Sequence, residues 1–239
     1  MIASGVVADL APTGTLRASI NVGNPVLAQG PPTNPSGITV DIAREVATRL
    51  GVPVQLLGFD AARKSYEAMT TGAADLCFLA IEPAREAEIA FTAPYVVIEG
   101  VFAVPRDSAI TTVADVDRDG VRIGVKQGSA YDLYLTRSVQ HATIVRGDDG
   151  VTAFRDQGLD VAAGIRQPIT AYVADDPDLR LIDERFMQIR QAVGTVKTKR
   201  PESAAFLYSL IEELKASGFV AEALRRAGQS ADLVAPATS

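Results

Sequence analysis

LAIEPAREAEIAFTAPY, residues 79–95, begins inside an apolar strand that runs from Leu76 to Ile81 and stops at Pro83. Proline lacks a backbone N–H, so it suits the first turn of a short helix and not its interior. Arg85 follows at once, near a helix start where free backbone N–H groups and the positive end of the peptide dipole gather. A guanidinium offers a planar fork that a carboxylate meets with two parallel hydrogen bonds, and nearby amides take the remaining lone pairs. The same spacing also allows Arg85 to pair with Glu82 or Glu88 on a solvated face.

Working outward towards the N-terminus, Thr15–Val22 is a short strand broken by Gly23, Asn24 and Pro25. Asn21 and Asn24 therefore stand at a strand's C-terminal end, where open α/β sheets place ligand contacts. Plain loop polarity explains them too, Asn24 above all. Residues 31–37 are rich in Pro, Gly and Asn and predict a mobile turn. Thr39–Leu50 places Ile42, Ala43, Val46, Ala47 and Leu50 on one helical face, and Gly51 ends it. A strand at Val54–Leu57, a helix at Ala61–Thr71 and the strand at Leu76–Ile81 complete a pattern that predicts a parallel sheet with covering helices.

Towards the C-terminus the extended stretch VVIEGVFAVP leads to residues 106–120, which are polar and helix-like. VRIGVKQGSAYDLYL then repeats the strand, glycine loop and helix of the beginning. A second alternating set follows: strand Thr143–Val145, helix Asp149–Gln157, strand Asp160–Ala163, helix Pro168–Ala174 and strand Leu179–Ile182. Val101–Arg106 reads as a crossing into a second lobe and Phe186–Val196 as the return. Pro201–Lys215 is an amphipathic helix with Ala204, Leu207, Tyr208, Ile211 and Leu214 on one side. The expected organisation is a discontinuous first lobe, residues 1–103 and 195–239, and a second lobe, residues 104–194.

Composition narrows the function classes. Of 239 residues 47% are hydrophobic and 22% charged, which is a globular balance and not a disordered one. A formal net charge of −6 without any Lys/Arg block argues against a nucleic-acid partner. The single cysteine, Cys77, excludes an internal disulfide and a Cys-rich metal site, and in the strand DLCFLAI it reads as a buried, inert thiol. The one histidine, His141, has no second His or Cys to share a metal with, so neither a metal nor another cofactor is expected. The first fifteen residues lack the basic start and apolar core of a signal peptide.

Three stretches carry a resemblance. Gly37-Ile-Thr-Val-Asp41-Ile-Ala, Pro83-Ala-Arg85 running into Phe91-Thr-Ala-Pro94-Tyr95, and Val125-Lys126-Gln-Gly128-Ser129 resemble, in order and spacing, the signature regions of the bacterial solute-binding proteins of family 3, the polar amino-acid class. The resemblance spans Gly14–Gly228. It implies a periplasmic-binding-protein type 2 fold: two α/β lobes, each a mainly parallel sheet with covering helices, joined by two hinge crossings and closing on a small ligand for delivery to an ABC importer. It further implies that Arg85 binds the ligand carboxylate, that Lys126, Gln127, Gly128 and Ser129 form the second-lobe loop, and that Ser129 N–H and hydroxyl hold the same ligand end. Asn21 takes the place of a residue, usually acidic, that contacts the ligand's side chain or amine.

The departures from the family pattern concern the rest of the site. Where a Ser or Thr often stands beside the carboxylate, this chain has Ala80 or Glu82, depending on the alignment of the strand end. Where an Asp usually binds an α-ammonium, it has Ile165-Arg166-Gln167-Pro168, with one residue more than the family spacing. Two ligand models follow. Arg85, Lys126 and Arg166 together suit an organic acid with two negative groups, because unpaired cations facing one cavity are costly. Alternatively Glu82 takes the role of the missing Asp and the ligand is an amino acid.

The expected function is trapping of a small carboxylate ligand by a monomer, with an ABC permease as a further partner and no catalysis. Two alternatives stay open: a cytosolic sensor or scavenger, and a dehydratase-like enzyme on the same fold in which Glu82 acts as the acid. The protein is periplasmic if a leader has been removed and cytoplasmic if Met1 is the native start.

Overall fold

In a computed structural model, which describes residues 3–238, the alternating signals resolve into two units: Met1–Val97 with Arg190–Ser239, and Ile98–Ile189. Met1, on which the question of a leader turns, lies outside the described residues.

The chain begins with α1 (Ser4–Leu10), β1 (Leu16–Asn21), α2 (Ile38–Leu50), β2 (Val54–Phe59), α3 (Ala62–Thr70), β3 (Leu76–Ala80), the single turn α4 (Pro83–Glu86) and β4 (Ile89–Pro105), and leaves the first unit inside β4. The second unit contains β5 (Arg122–Lys126), α5 (Ala130–Ser138), β6 (Thr143–Gly147), α6 (Gly150–Asp156), β7 (Val161–Ile165) and α7 (Arg166–Ala174). Strand β8 (Leu179–Val196) carries the chain back, and α8 (Pro201–Ala216) and α9 (Phe219–Arg226) complete the first unit.

Each unit is an α/β layer built in the same way. In the first, the strand order is β2-β1-β3-β8, with β1 parallel to both β2 and β3 and β8 antiparallel to β3. In the second, the order β6-β5-β7-β4 repeats this, with β5 parallel to β6 and β7 and β4 antiparallel to β7. Central strands bury both faces, so β3 is apolar throughout, as a covered parallel strand must be. The first unit packs Met69, Cys77, Leu79 and Ile89 together, and the second packs Val101, Phe154, Leu159 and Ile169.

Local signals set most boundaries. Helix α2 buries Ile42, Ala43, Val46, Ala47 and Leu50, and Gly51 ends it at φ 71°, in the left-handed region that glycine enters without a Cβ penalty. Three expectations need correction. Residues 106–120 form only a 3-10 turn at Val113–Asp115, because Asp115 Oδ2 accepts the N–H groups of Thr111 and Thr112 and so ties the backbone outside a longer helix. On α8, Leu210 and not Tyr208 is buried; Tyr208 is 41% exposed and its hydroxyl bonds to Thr238. Helix α7 starts at Arg166, with Pro168 inside its first turn, where a missing N–H costs nothing.

Candidate functional site

The candidate residues of the first unit gather at the C-terminal ends of the neighbouring parallel strands β1 and β3. Pro83 ends the extended run after β3, and α4 turns Arg85 back beneath it. Arg85 N donates to Glu82 O at 2.8 Å, and Arg85 Nη1 donates to Ala80 O at 3.1 Å. Arg85 is only 3% exposed, so the solvated-face alternative does not hold. Burial pulls its pKa down to about 10, and the buried Glu82 carboxylate is the strongest charge opposing that fall. Ala80 thus serves through its carbonyl. The thiol of Cys77, buried in β3, is pushed up to about 12 by desolvation and is no nucleophile.

Asn21 and Asn24 organise the loop after β1. Asn21 Oδ1 accepts from Gly23 N at 3.0 Å, and Asn24 Oδ1 accepts from Val26 N at 3.3 Å, both side-chain turns onto a backbone two residues on. Asn24 is buried, and its carbonyl also accepts from Leu27 N and Ala28 N.

In the second unit the candidates stand at the C-terminal ends of β5 and β7, again neighbouring parallel strands. Lys126 ends β5. Gly128 follows at φ 70°, a left-handed turn that lets Gly128 N donate to Asp132 Oδ2 at 2.8 Å. Ser129 caps α5: its Oγ accepts from Asp132 N at 3.0 Å, while Ser129 N donates to Lys126 O at 3.1 Å. Both groups that the resemblance assigned to the ligand thus have hydrogen bonds within the loop. Asp132, buried, also receives Arg146 Nε at 3.0 Å and so locks the loop to β6.

Arg166 and Gln167 open α7 directly after β7. Each nitrogen of the Arg166 guanidinium is engaged: Nε donates to Glu99 Oε2 at 2.5 Å, Nη1 to Asp183 Oδ1 at 2.8 Å and Nη2 to Asp183 O at 2.6 Å. Glu99 receives a second guanidinium, Arg185, at 2.9 Å. Burial alone would raise the Glu99 pKa, but the hydrogen bonds from Arg185 and Arg166 outweigh it and hold the carboxyl below its ordinary value. The adjacent Gln167 keeps its amide oxygen buried.

Sequence reasoning passed over Glu99, Asp183, Asp132 and Arg146. Glu99 had a signal: it is the one charged residue in the extended stretch VVIEGVFAVP, and a charge in a buried strand needs a partner. Nothing in the sequence pairs it with Arg166, 67 positions away. No group of His, Cys, Asp and Glu that could hold a metal occurs among the described residues. Nor, among them, is any helix long and apolar enough to cross a membrane.

Solved structures share this architecture. The chain is similar to the cysteine-binding protein of Campylobacter jejuni, with 21% identity, a TM-score of 0.77, and 98% of this chain and 100% of that one covered. It is similar to an amino acid ABC transporter substrate-binding protein of Streptococcus pneumoniae bound to L-arginine, with 19% identity, a TM-score of 0.75 and coverage of 91% and 96%. It is also similar to an ancestral amino acid-binding protein, a precursor of cyclohexadienyl dehydratase, with 20% identity, a TM-score of 0.72 and coverage of 92% and 98%. No curated protein matches it by sequence. The model of one family matches residues 19–229, nearly the whole chain, and the protein belongs to the bacterial extracellular solute-binding proteins, family 3.

Proposed function

We propose that this protein binds a small ligand by its carboxylate, an amino acid or a close relative, in the periplasm and as a monomer, and delivers it to the permease of an ABC importer. The observation that carries this is Arg85: a guanidinium held in a buried position at the end of β3, where an anion gains most from a cation shielded from water. The two units serve as the lobes of the trap, with the chain crossing between them inside β4 and β8. Arg85 is the anchor in the first lobe, with Asn21, Asn24, Ala80 and Glu82 shaping its surroundings. The second lobe contributes the Lys126, Gly128 and Ser129 loop together with Arg166 and Gln167. Family membership supports the trap, and the amino acids bound by structural relatives support the ligand class.

Binding without catalysis is favoured by the chemistry of the nucleophile and base candidates. Cys77 is buried with a raised pKa, and His141 is exposed beside Asp119 at 3.7 Å.

The test is a thermal-shift screen against amino acids and small carboxylates, followed by titration calorimetry of the hits on Arg85→Ala. A ligand that binds only the folded state raises the melting temperature. Loss of a charge-assisted pair should weaken binding by about 100-fold or more. Because the substitution leaves Glu82 buried, the melting temperature of the free protein falls too, so the readout is the ligand-induced shift. Undiminished affinity in Arg85→Ala would falsify the assignment.

A further inference from the structure

Strand β1 ends at Asn21 and its parallel neighbour β3 at Ala80, whose carbonyl holds Arg85 Nη1 at 3.1 Å. Ser19 pairs with Cys77 in register, so Asn21, two residues on, comes level with Leu79 and points to the same face of the sheet as Ser19. Helix α3 covers that face: Ser19 Oγ bonds to Ser65, and Cys77 clusters with Ala68 and Met69. Cys77 and Tyr66, a residue of α3, act electrostatically on Arg85, which puts its charge on the same side. Asn21 and Arg85 therefore belong to one patch of the first unit.

The turn after β1 fixes what Asn21 can offer there. Its Oδ1 accepts Gly23 N at 3.0 Å, and because a backbone N–H only donates, the oxygen of the amide and not its nitrogen is the atom tied to the turn. Asn21 is half-buried, and among the described residues nothing accepts a hydrogen bond from its Nδ2. Glu82 is 2% exposed and is the strongest charge acting on Arg85. The patch thus presents N–H groups from both Arg85 and Asn21. A ligand ammonium or guanidinium is also a donor only, so it would lose its water here without gaining an acceptor.

We propose that Asn21 is a specificity-determining residue: with its oxygen tied to Gly23 it shows the ligand N–H groups alone, and so selects an amino acid whose side chain ends in a carbonyl acceptor over one that ends in a cation. This rests on the carboxylate-binding function proposed above and names the ligand class for it, and every residue it uses lies in the first unit. Selection comes from the unfavourable meeting of donor with donor as much as from the new hydrogen bond.

Pairs of nearly equal length test this by calorimetry: citrulline against arginine, and glutamine against ornithine. The wild-type protein should bind the carbonyl member of each pair about 10-fold tighter than the cation. Asn21→Asp keeps the turn, since an Asp oxygen accepts Gly23 N equally well, and adds an acceptor with a negative charge. It should move each ratio by about 10-fold towards the cation, an effect on rank order that a loss of fold would not produce. Tighter binding of arginine or ornithine by the wild-type protein overturns the inference, whether or not Asn21→Asp folds. So does an unchanged ratio in a folded Asn21→Asp, and so does a failure of all four compounds to bind. If the cations are preferred and Arg85→Ala abolishes their binding, the inference fails and the anchor stands. If binding survives Arg85→Ala undiminished, the carboxylate function itself fails and takes this inference with it.

Discussion

The two units carry the same clamp at the same place, and it is buried in one and exposed in the other. In the first unit, Arg17 at the start of β1 donates its backbone N–H to Asp75 Oδ2 at 3.0 Å and receives Asp75 N at its own carbonyl at 2.8 Å. Its guanidinium reaches Asp75 at 2.7 and 2.9 Å and the carbonyl of Gly72 at 2.9 Å. In the second unit, Arg122 at the start of β5 donates its N–H to Asp160 Oδ2 at 2.8 Å, receives Asp160 N at 3.1 Å, and reaches the carbonyl of Gly158. Topology therefore repeats down to single hydrogen bonds, but solvent does not. The Asp75 side chain is 2% exposed and that of Asp160 is 43% exposed. The Arg122 Nε to Asp160 separation of 3.5 Å is correspondingly loose. An identical motif is worth what its dielectric surroundings make it worth.

The largest difference should appear on removing the two aspartates. Asp75→Ala leaves the Arg17 N–H without its carboxylate acceptor and the part-buried guanidinium with the Gly72 carbonyl alone, and should cost about 3 kcal/mol in urea unfolding. Asp160→Ala should cost about 1 kcal/mol or less, because water replaces the lost contacts. Equal losses would show that burial does not separate the clamps. Asp132→Ala, which strips Gly128 N and Arg146 of a buried acceptor, should fall between them at about 2 kcal/mol. It should also weaken ligand binding, since the Lys126 to Ser129 loop loses its brace. A stability loss with full affinity would place the loop outside the site.

Acid sharpens the comparison least, and its sign is fixed. Glu99 has its folded pKa depressed below the ordinary 4.5, so its contribution to stability is complete above that value and is lost as pH falls through the folded one. The stability difference between the parent protein and Glu99→Gln should therefore persist down to about pH 4.5. Calorimetry across that range checks it. Erosion near neutrality would mean that Arg166 and Arg185 do not hold Glu99 ionised.

Much of this could be read in advance, and particular residues show why. Helix α2 followed from its apolar spacing and Gly51, and the turn of Arg85 followed from Pro83, because both depend on neighbours within a few positions. The repetition of strand, glycine loop and helix in VRIGVKQGSAYDLYL pointed to a second unit built like the first. The partners of Arg166 were not legible. Glu99 reaches it only because β4 pairs antiparallel with β7, and Asp183 and Arg185 only because β8 passes the start of α7. The burial of Asp75 and the exposure of Asp160 were equally invisible, since both follow a glycine-ended helix at almost the same distance.

Residue order alone thus determined the α/β alternation, the family and the turn that carries Arg85, because helix periods, turn residues and motif spacing are local properties of the chain. Only the folded chain decided which charges are already matched and which lie out of water. Those depend on contacts between distant segments, and the strength of a charge is set by whatever surrounds it in space.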